Sequence, residues 1–167
     1  MQGLGRTFDI GSAFTPVDFN TADAATGHRV HLRNYGTIAL VLYKGAGTAG
    51  ADPVITVQEH DAATGGTSAS LAVVDEVYYK AETTLDGDET WTRATQTAAA
   101  TYTDATSAEV EGIYVIQVSA DQLSAGYEWV SFNIAATVAN AQLVCGFYIM
   151  GELAIQRRPD LLAQPNA

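Results

Sequence analysis

The feature that most constrains this chain is a two-residue alternation of apolar side chains within short segments. In residues 37–44, Ile38, Leu40 and Leu42 share one side of an extended chain, and Tyr43 lies on the other. Because Ala39 and Val41 accompany Tyr43, this segment predicts a strand with two apolar faces. Such a strand lies in the centre of a sheet, or it turns its outer face toward a partner.

About eight short segments follow this pattern, and turn residues or small polar stretches separate them. No longer window shows a convincing helical stripe, which argues against an α/β fold. The predicted strands cover residues 28–33, 37–44, 54–59, 71–80, 90–96, 112–118, 127–135 and 141–150. They predict an all-β fold, namely an antiparallel β-sandwich that is jelly-roll-like in its number of strands.

The two ends of the chain depart from this pattern. Residues 1–16 carry four large apolar residues between glycines, at a spacing typical of neither a strand nor a helix. Residues 153–167 contain prolines that interrupt regular structure. We therefore expect an N-terminal arm over residues 1–16, a β-sandwich domain over residues 17–152 and a C-terminal arm over residues 153–167. Both arms are expected to pack on neighbouring subunits.

The balance of charges excludes one large class of partners. The 167 residues include 19 acidic and 8 basic side chains, which gives a net charge of −11. Nucleic acid is bound chiefly by clustered lysines and arginines, so we expect no nucleic-acid partner. Repulsion between copies instead keeps the protein soluble until a specific surface docks.

The cysteine and the longest apolar stretch have ordinary interpretations. Cys145 has no second thiol to pair with, and its apolar neighbours predict a buried thiol. Residues 134–150 are nearly long enough to span a membrane, but Asn140 and Gln142 interrupt them and their apolar residues alternate. We expect two strands and a turn there, and no membrane contact.

Residues 45–50 spell the glycine pattern G-x-G-x-x-G of dinucleotide-binding loops. That mechanism needs a helix to begin at the loop, so that its N-terminal amides can hold a pyrophosphate. Asp52, Pro53 and an extended segment follow instead. We expect a hairpin loop here and no bound nucleotide.

The histidines and one acidic turn are the candidate metal ligands. His28 and His31 would point to opposite faces of an extended segment, and His60 stands alone, so all three are expected to face solvent. Residues 85–90 place three carboxylates in a turn that resembles a fragment of a calcium loop, without the other oxygen ligands or flanking helices of an EF-hand. We interpret the turn as a solvated hairpin, and we expect no metal and no other cofactor.

No catalytic residue is predicted. The serines lack a G-x-S-x-G turn and an evident base nearby. Among the carboxylates, only Glu76 and Glu128 are candidates for burial in an apolar strand, where a raised pKa would suit acid–base chemistry. We therefore expect that the chain is not an enzyme.

The tryptophans and tyrosines indicate a binding surface. Tyr127 and Trp129 share the face opposite Val130 and Phe132, so one of these two faces must lie at an interface or inside a second layer. Protein contact is the commoner use of exposed tryptophan and tyrosine. A sugar-stacking platform that includes Trp91 is the alternative.

Three phrases of the sequence stand out together. They are VLYKGAGTAGADPVITV over residues 41–57, YTDATSAE over residues 102–109 and YVIQVSADQL over residues 114–123. Over residues 18–158 the chain resembles a group of small virion proteins of tailed bacteriophages. This resemblance implies a non-enzymatic, capsid-associated protein present in many copies per particle, and it assigns no functional residue.

From these observations we expect a virion protein that decorates the capsid exterior and cements the shell. Its expected partners are the major capsid protein and further copies of itself, with a trimer favoured. A tail or head-fibre protein of the same particle and a carbohydrate-binding β-sandwich module are the alternatives. The residues expected at protein interfaces are Leu4, Phe8, Ile10, Phe14, Trp129, Arg157, Arg158, Leu161 and Leu162.

Overall fold

The computed structural model describes residues 3–18, 25–48, 52–103, 110–135, 142–162 and 164–165. Within these residues the regular secondary structure is made of strands and short 3-10 turns, which loops connect. The strands are β1 (Phe8–Asp18), β2 (Ala25–Thr26), β3 (Val30–His31), β4 (Tyr35–Lys44), β5 (Val54–His60), β6 (Ser68–Ser70), β7 (Val74–Glu82), β8 (Thr92–Ala99), β9 (Thr101–Thr103), β10 (Glu111–Ser119), β11 (Trp129–Ala135) and β12 (Leu143–Leu153). The 3-10 turns are Leu32–Asn34, Ala120–Gln122 and Pro159–Leu161.

The strands form two sheets, and neighbouring strands run antiparallel. The first, here called the front sheet, has the order β1-β12-β4-β10-β7-β8. The second, the back sheet, has the order β2-β11-β5-β6, with β3 beside β11 and β9 beside β5. The predicted all-β, antiparallel two-sheet fold is confirmed, and its jelly-roll topology stays a prediction.

The inner faces of the two sheets supply one hydrophobic core. At its centre Phe132 of the back sheet packs against Tyr148 of the front sheet, with ring centroids 5.8 Å apart. The Tyr148 hydroxyl donates to the His28 carbonyl oxygen at 3.1 Å and accepts the Phe132 N–H at 3.3 Å. Each large apolar side chain buried here contributes about 1.5–3 kcal/mol, which holds the sheets face to face.

The long apolar stretch of residues 134–150 is divided between the two sheets. Its first residues end β11 in the back sheet, and its last residues lie in β12 of the front sheet. Two strands are therefore present as predicted, while the predicted turn lies outside the described residues. Among the described residues, no helix has the length and apolar character needed to cross a membrane.

The N-terminal segment differs from the predicted arm. Residues 8–18 form β1, an edge strand of this chain's own front sheet that pairs with β12. Phe14 is buried because its ring lies over Gly146 of β12, where an added Cβ would come within 2.6 Å of the ring. Register shifts between Ser12 and Phe14 and between Phe14 and Val17 break the alternation, which is why the sequence does not show a strand here.

The C-terminal segment also packs on its own chain. Beyond β12, the Arg157 N–H donates to the Gly5 carbonyl oxygen at 2.8 Å, and the His31 N–H donates to the Pro165 carbonyl oxygen at 2.9 Å. Gly5 has a φ of 78°, and a Cβ there would clash with the Arg157 carbonyl oxygen. The two terminal segments are thus joined to each other, and their contact with neighbouring subunits stays a prediction.

Candidate interaction surface

The outer face of the front sheet is apolar and exposed. In β4, Ile38, Leu40 and Leu42 are fully buried, whereas Tyr43 on the opposite side is 40% exposed. β4 lies between β12 and β10 in the interior of the sheet, so this exposure is not an edge effect. The strand that the sequence predicts to have two apolar faces has one in the core and one at the surface.

β12 turns large apolar side chains outward as well. Tyr148 and Met150 are fully buried, whereas Phe147 and Ile149 are exposed. Cys145 shares their outward side and is only half-buried, so the prediction of a buried thiol is wrong. The reason is that β12 has two apolar faces, and alternation alone does not say which one meets the back sheet.

Cross-strand pairing places the outward side chains beside one another. Residues directly opposite in neighbouring strands have Cβ atoms about 4.5–5.5 Å apart. Three adjacent rows cross the sheet, namely Ser12, Phe147, Val41, Val115, Tyr78 and Arg93; Ile10, Ile149, Ala39 and Gln117; and Cys145, Tyr43, Ile113 and Lys80. We define the outer apolar face as Ile10, Val41, Tyr43, Ile113, Val115, Leu143, Cys145, Phe147 and Ile149.

The outer apolar face is large enough to bind another protein. Neighbouring strands are about 4.8 Å apart and each residue advances a strand by about 3.4 Å, so each side of the face is about 20 Å long. The area of the face is therefore about 400 Å². Contiguous apolar patches of this size on a monomer are often functional. At the β8 border, hydrogen bonds from Tyr78 and Arg93 lower the pKa of Glu76, and Arg93 and Glu76 form an ion pair. An apolar centre with a charged border is typical of a protein interface.

The apolar residues predicted in the N-terminal arm fall into two groups. Ile10 is 52% exposed and belongs to the outer apolar face, and Leu4 is exposed in a groove outside the sheet. Phe14 is buried and Phe8 is half-buried. Only Ile10 and Leu4 are therefore available to a partner, and the structure does not bring them together.

The predicted residues of the C-terminal segment lie mostly at the surface. Arg157, Arg158 and Leu161 are exposed, whereas Leu162 is half-buried and lines a cavity of about 50 Å³ beside Tyr35. The two arginines line the same groove as Leu4. This groove is separate from the outer apolar face.

Trp129 is inside the fold, which corrects its assignment to an interface. Its ring stacks on His31, the residue opposite it in β3, with centroids 4.3 Å apart and planes 15° apart. Both residues are buried, so the expectation that His31 faces solvent is wrong as well. The imidazole is held by Glu128, whose Oε2 lies 3.0 Å from Nε2.

His60 is also buried, contrary to the prediction. Its Nδ1 lies 2.7 Å from Ser68 Oγ and its Nε2 lies 2.8 Å from Ser131 Oγ. Burial, aided by the positive charge of Arg29, lowers the pKa of His60 to about 4. A histidine between two hydroxyls with so low a pKa suits a structural link between β5, β6 and β11 better than a general base. No local sequence pattern reveals this link, because Ser131 is 71 residues from His60.

The acidic turn and the glycine-rich loop are the two segments whose sequences resemble metal-binding and nucleotide-binding loops. Glu82, Asp88 and Glu89 place ligand atoms within 4.8 Å of one another, at an exposed site. The described part of the glycine pattern, residues 45–48, starts no helix. It leads from β4 in the front sheet toward β5 in the back sheet, so the predicted hairpin is wrong.

The comparisons with known proteins give no family. No family model matches the chain, and no curated protein or solved structure matches it either.

Proposed function

We propose that the chain is a structural protein of a tailed-phage particle that decorates the capsid exterior and stabilises the shell. The observation that carries this proposal is the outer apolar face, an exposed apolar surface on a six-stranded sheet. The partner is the major capsid protein, which covers this face. Neither a cofactor nor a catalytic step is needed for this role.

The size of the outer apolar face favours a partner that is presented in many copies. Burying about 400 Å² of apolar surface contributes about 10 kcal/mol at 25 cal/mol per Å². Association costs about 4–15 kcal/mol in lost freedom of motion, so one face alone gives weak binding. A capsid offers the same site repeatedly, and linked copies bind it with much greater avidity.

Two other roles have less support. A tail or head-fibre protein of the same particle could use the same face, and its copy number would distinguish it. A carbohydrate-binding module would use the tryptophans, and Trp91 is 52% exposed with Lys80 Nζ at 5.3 Å from its ring centroid. Trp129, however, is buried in the other sheet, so the two tryptophans do not form a shared platform.

The proposal is tested by adding purified protein to phage shells that lack it and measuring bound copies by electron cryo-microscopy. The double variant Phe147→Asp, Ile149→Asp should lose most shell occupancy, because two carboxylates would be desolvated at the contact. Ile155→Asp, at a site 60% exposed but outside the face, is the control and should bind normally. Density on the tail instead of the shell, or unchanged occupancy of the double variant, would contradict the proposal.

A further inference from the structure

The basic residues of this acidic chain are unevenly placed. Of the 8 lysines and arginines, Arg6, Arg157 and Arg158 line one groove of about 430 Å³ together with Leu4 and Pro159. The groove is built by the hydrogen bond that joins the two terminal segments. Arginine guanidinium groups bind carboxylates in fixed geometry, so this groove favours an acidic ligand.

The charges inside the groove leave it positive. Arg158 donates to Asp160 at 2.8 Å, and Arg157 Nη1 lies 3.4 Å from the Leu161 carbonyl oxygen. The carboxylate of Asp160 offsets one of the three guanidinium charges. The charge of the groove is therefore about +2, in a molecule whose net charge is −11. All three arginines are exposed.

The hairpin that joins β7 and β8 has the opposite character. Its tip places the carboxylates of Glu82, Asp88 and Glu89 within 4.8 Å of one another. The Gly87 N–H donates to Glu89 Oε1 at 3.1 Å and lowers the pKa of Glu89, which keeps this carboxylate charged. Three carboxylates this close repel one another, and a cation from outside would relieve that repulsion.

The groove and the tip lie at opposite corners of the front sheet. The groove adjoins β1 and the tip adjoins β8, which are the two edge strands. Near the groove, Gly151 pairs with Thr37 at the start of β4. At the other end of β4, Lys44 pairs with Gly112 of β10. Gly112 in turn pairs with Ala81 of β7, which lies beside the tip. One copy therefore presents a positive groove and a negative tip that point away from each other.

We propose that copies of this chain associate head to tail, with the acidic tip of one copy in the three-arginine groove of the next. Such a contact joins two different patches, so each copy is rotated by a fixed angle relative to the one before it. The copies form a closed ring if these rotations add up to a full turn, and an open chain if they do not. The inference stands independently of shell attachment, because it uses neither the outer apolar face nor a capsid partner.

Charge exchange between two variants gives the sharpest test. The groove variant carries Arg6→Glu, Arg157→Glu and Arg158→Glu, and the tip variant carries Glu82→Lys, Asp88→Lys and Glu89→Lys. We expect wild-type protein to associate in sedimentation velocity at high concentration, and each variant alone to have a dissociation constant raised by about tenfold or more. An equimolar mixture of the variants should associate again, because each tip then meets a groove of opposite charge.

Controls separate this contact from others. Arg33→Glu with Asp121→Lys reverses exposed charges elsewhere and should associate like wild type. Phe147→Asp with Ile149→Asp should also associate, since it alters only the outer apolar face. Circular dichroism checks that each variant is folded. If the groove variant does not fold, the single variant Arg6→Glu replaces it, because this change leaves the described contacts of Arg157 and Arg158 in place.

Three results would overturn the inference. The first is a wild-type protein that stays monomeric, whether or not it binds a free polyglutamate peptide. The second is a groove variant that still self-associates. The third is an equimolar mixture of folded variants that does not associate.

Discussion

At the scale of single residues, the buried His60 links stability to pH. Its pKa is lowered from 6.5 to about 4 in the folded protein, chiefly by burial. The unfolded chain therefore binds a proton as the pH falls below 6.5, while the folded chain stays neutral until the pH approaches 4. Stability from this residue is present in full above pH 6.5, and about 3 kcal/mol of it is lost by pH 4.

The variant His60→Gln should remove this part of the acid sensitivity. Urea unfolding at pH 7 and pH 4.5 measures the loss in each protein, and the wild type should lose more free energy of unfolding than the variant. His28→Gln is the matched control, because His28 is exposed, and it should follow the wild type. Equal acid losses in wild type and His60→Gln would show that the buried imidazole does not control this transition.

At the scale of elements, alternation predicts most of the longer strands, but it misses β1, the short strands β2, β6 and β9, and the inward face of β12. β1 is hidden because register shifts on either side of Phe14 break its two-residue period. In β12, both faces are apolar, so the choice depends on contacts outside the strand. Gly146 makes room for Phe14, and the Tyr148 hydroxyl bonds to backbone across the core. Those contacts put Phe147 at the surface, where the candidate site lies, and no local pattern contains them.

The position of Phe14 gives a prediction about β1. Phe14→Ala should destabilise the domain by about 3–5 kcal/mol, since it leaves a cavity over Gly146. Phe147→Ala changes the same residue type on the opposite, exposed face of the partner strand, and it should cost about 1 kcal/mol or less. Chemical denaturation gives both values. If the two costs are similar, β1 does not pack as the structure places it, and residues 8–16 behave as the predicted arm.

At the scale of the whole molecule, the two proposed contacts differ in the force that would drive them. The outer apolar face would bind by removing apolar surface from water, whereas the groove and the tip would bind by charge. The net charge of −11 opposes any close approach of copies at low ionic strength. At about 0.15 M salt the Debye length is about 8 Å, so repulsion between distant charges is already screened and the local contact decides the outcome.

The two surfaces should therefore respond in opposite ways to added salt. Raising sodium chloride from about 0.15 M to 1 M shortens the Debye length to about 3 Å and should weaken head-to-tail association, as sedimentation velocity would show. Shell occupancy should persist under the same change, and sodium sulfate should increase it, because excluded salts strengthen the burial of apolar surface. Shell binding that falls steeply with sodium chloride would mean that charge, and not the outer apolar face, holds the protein on its partner.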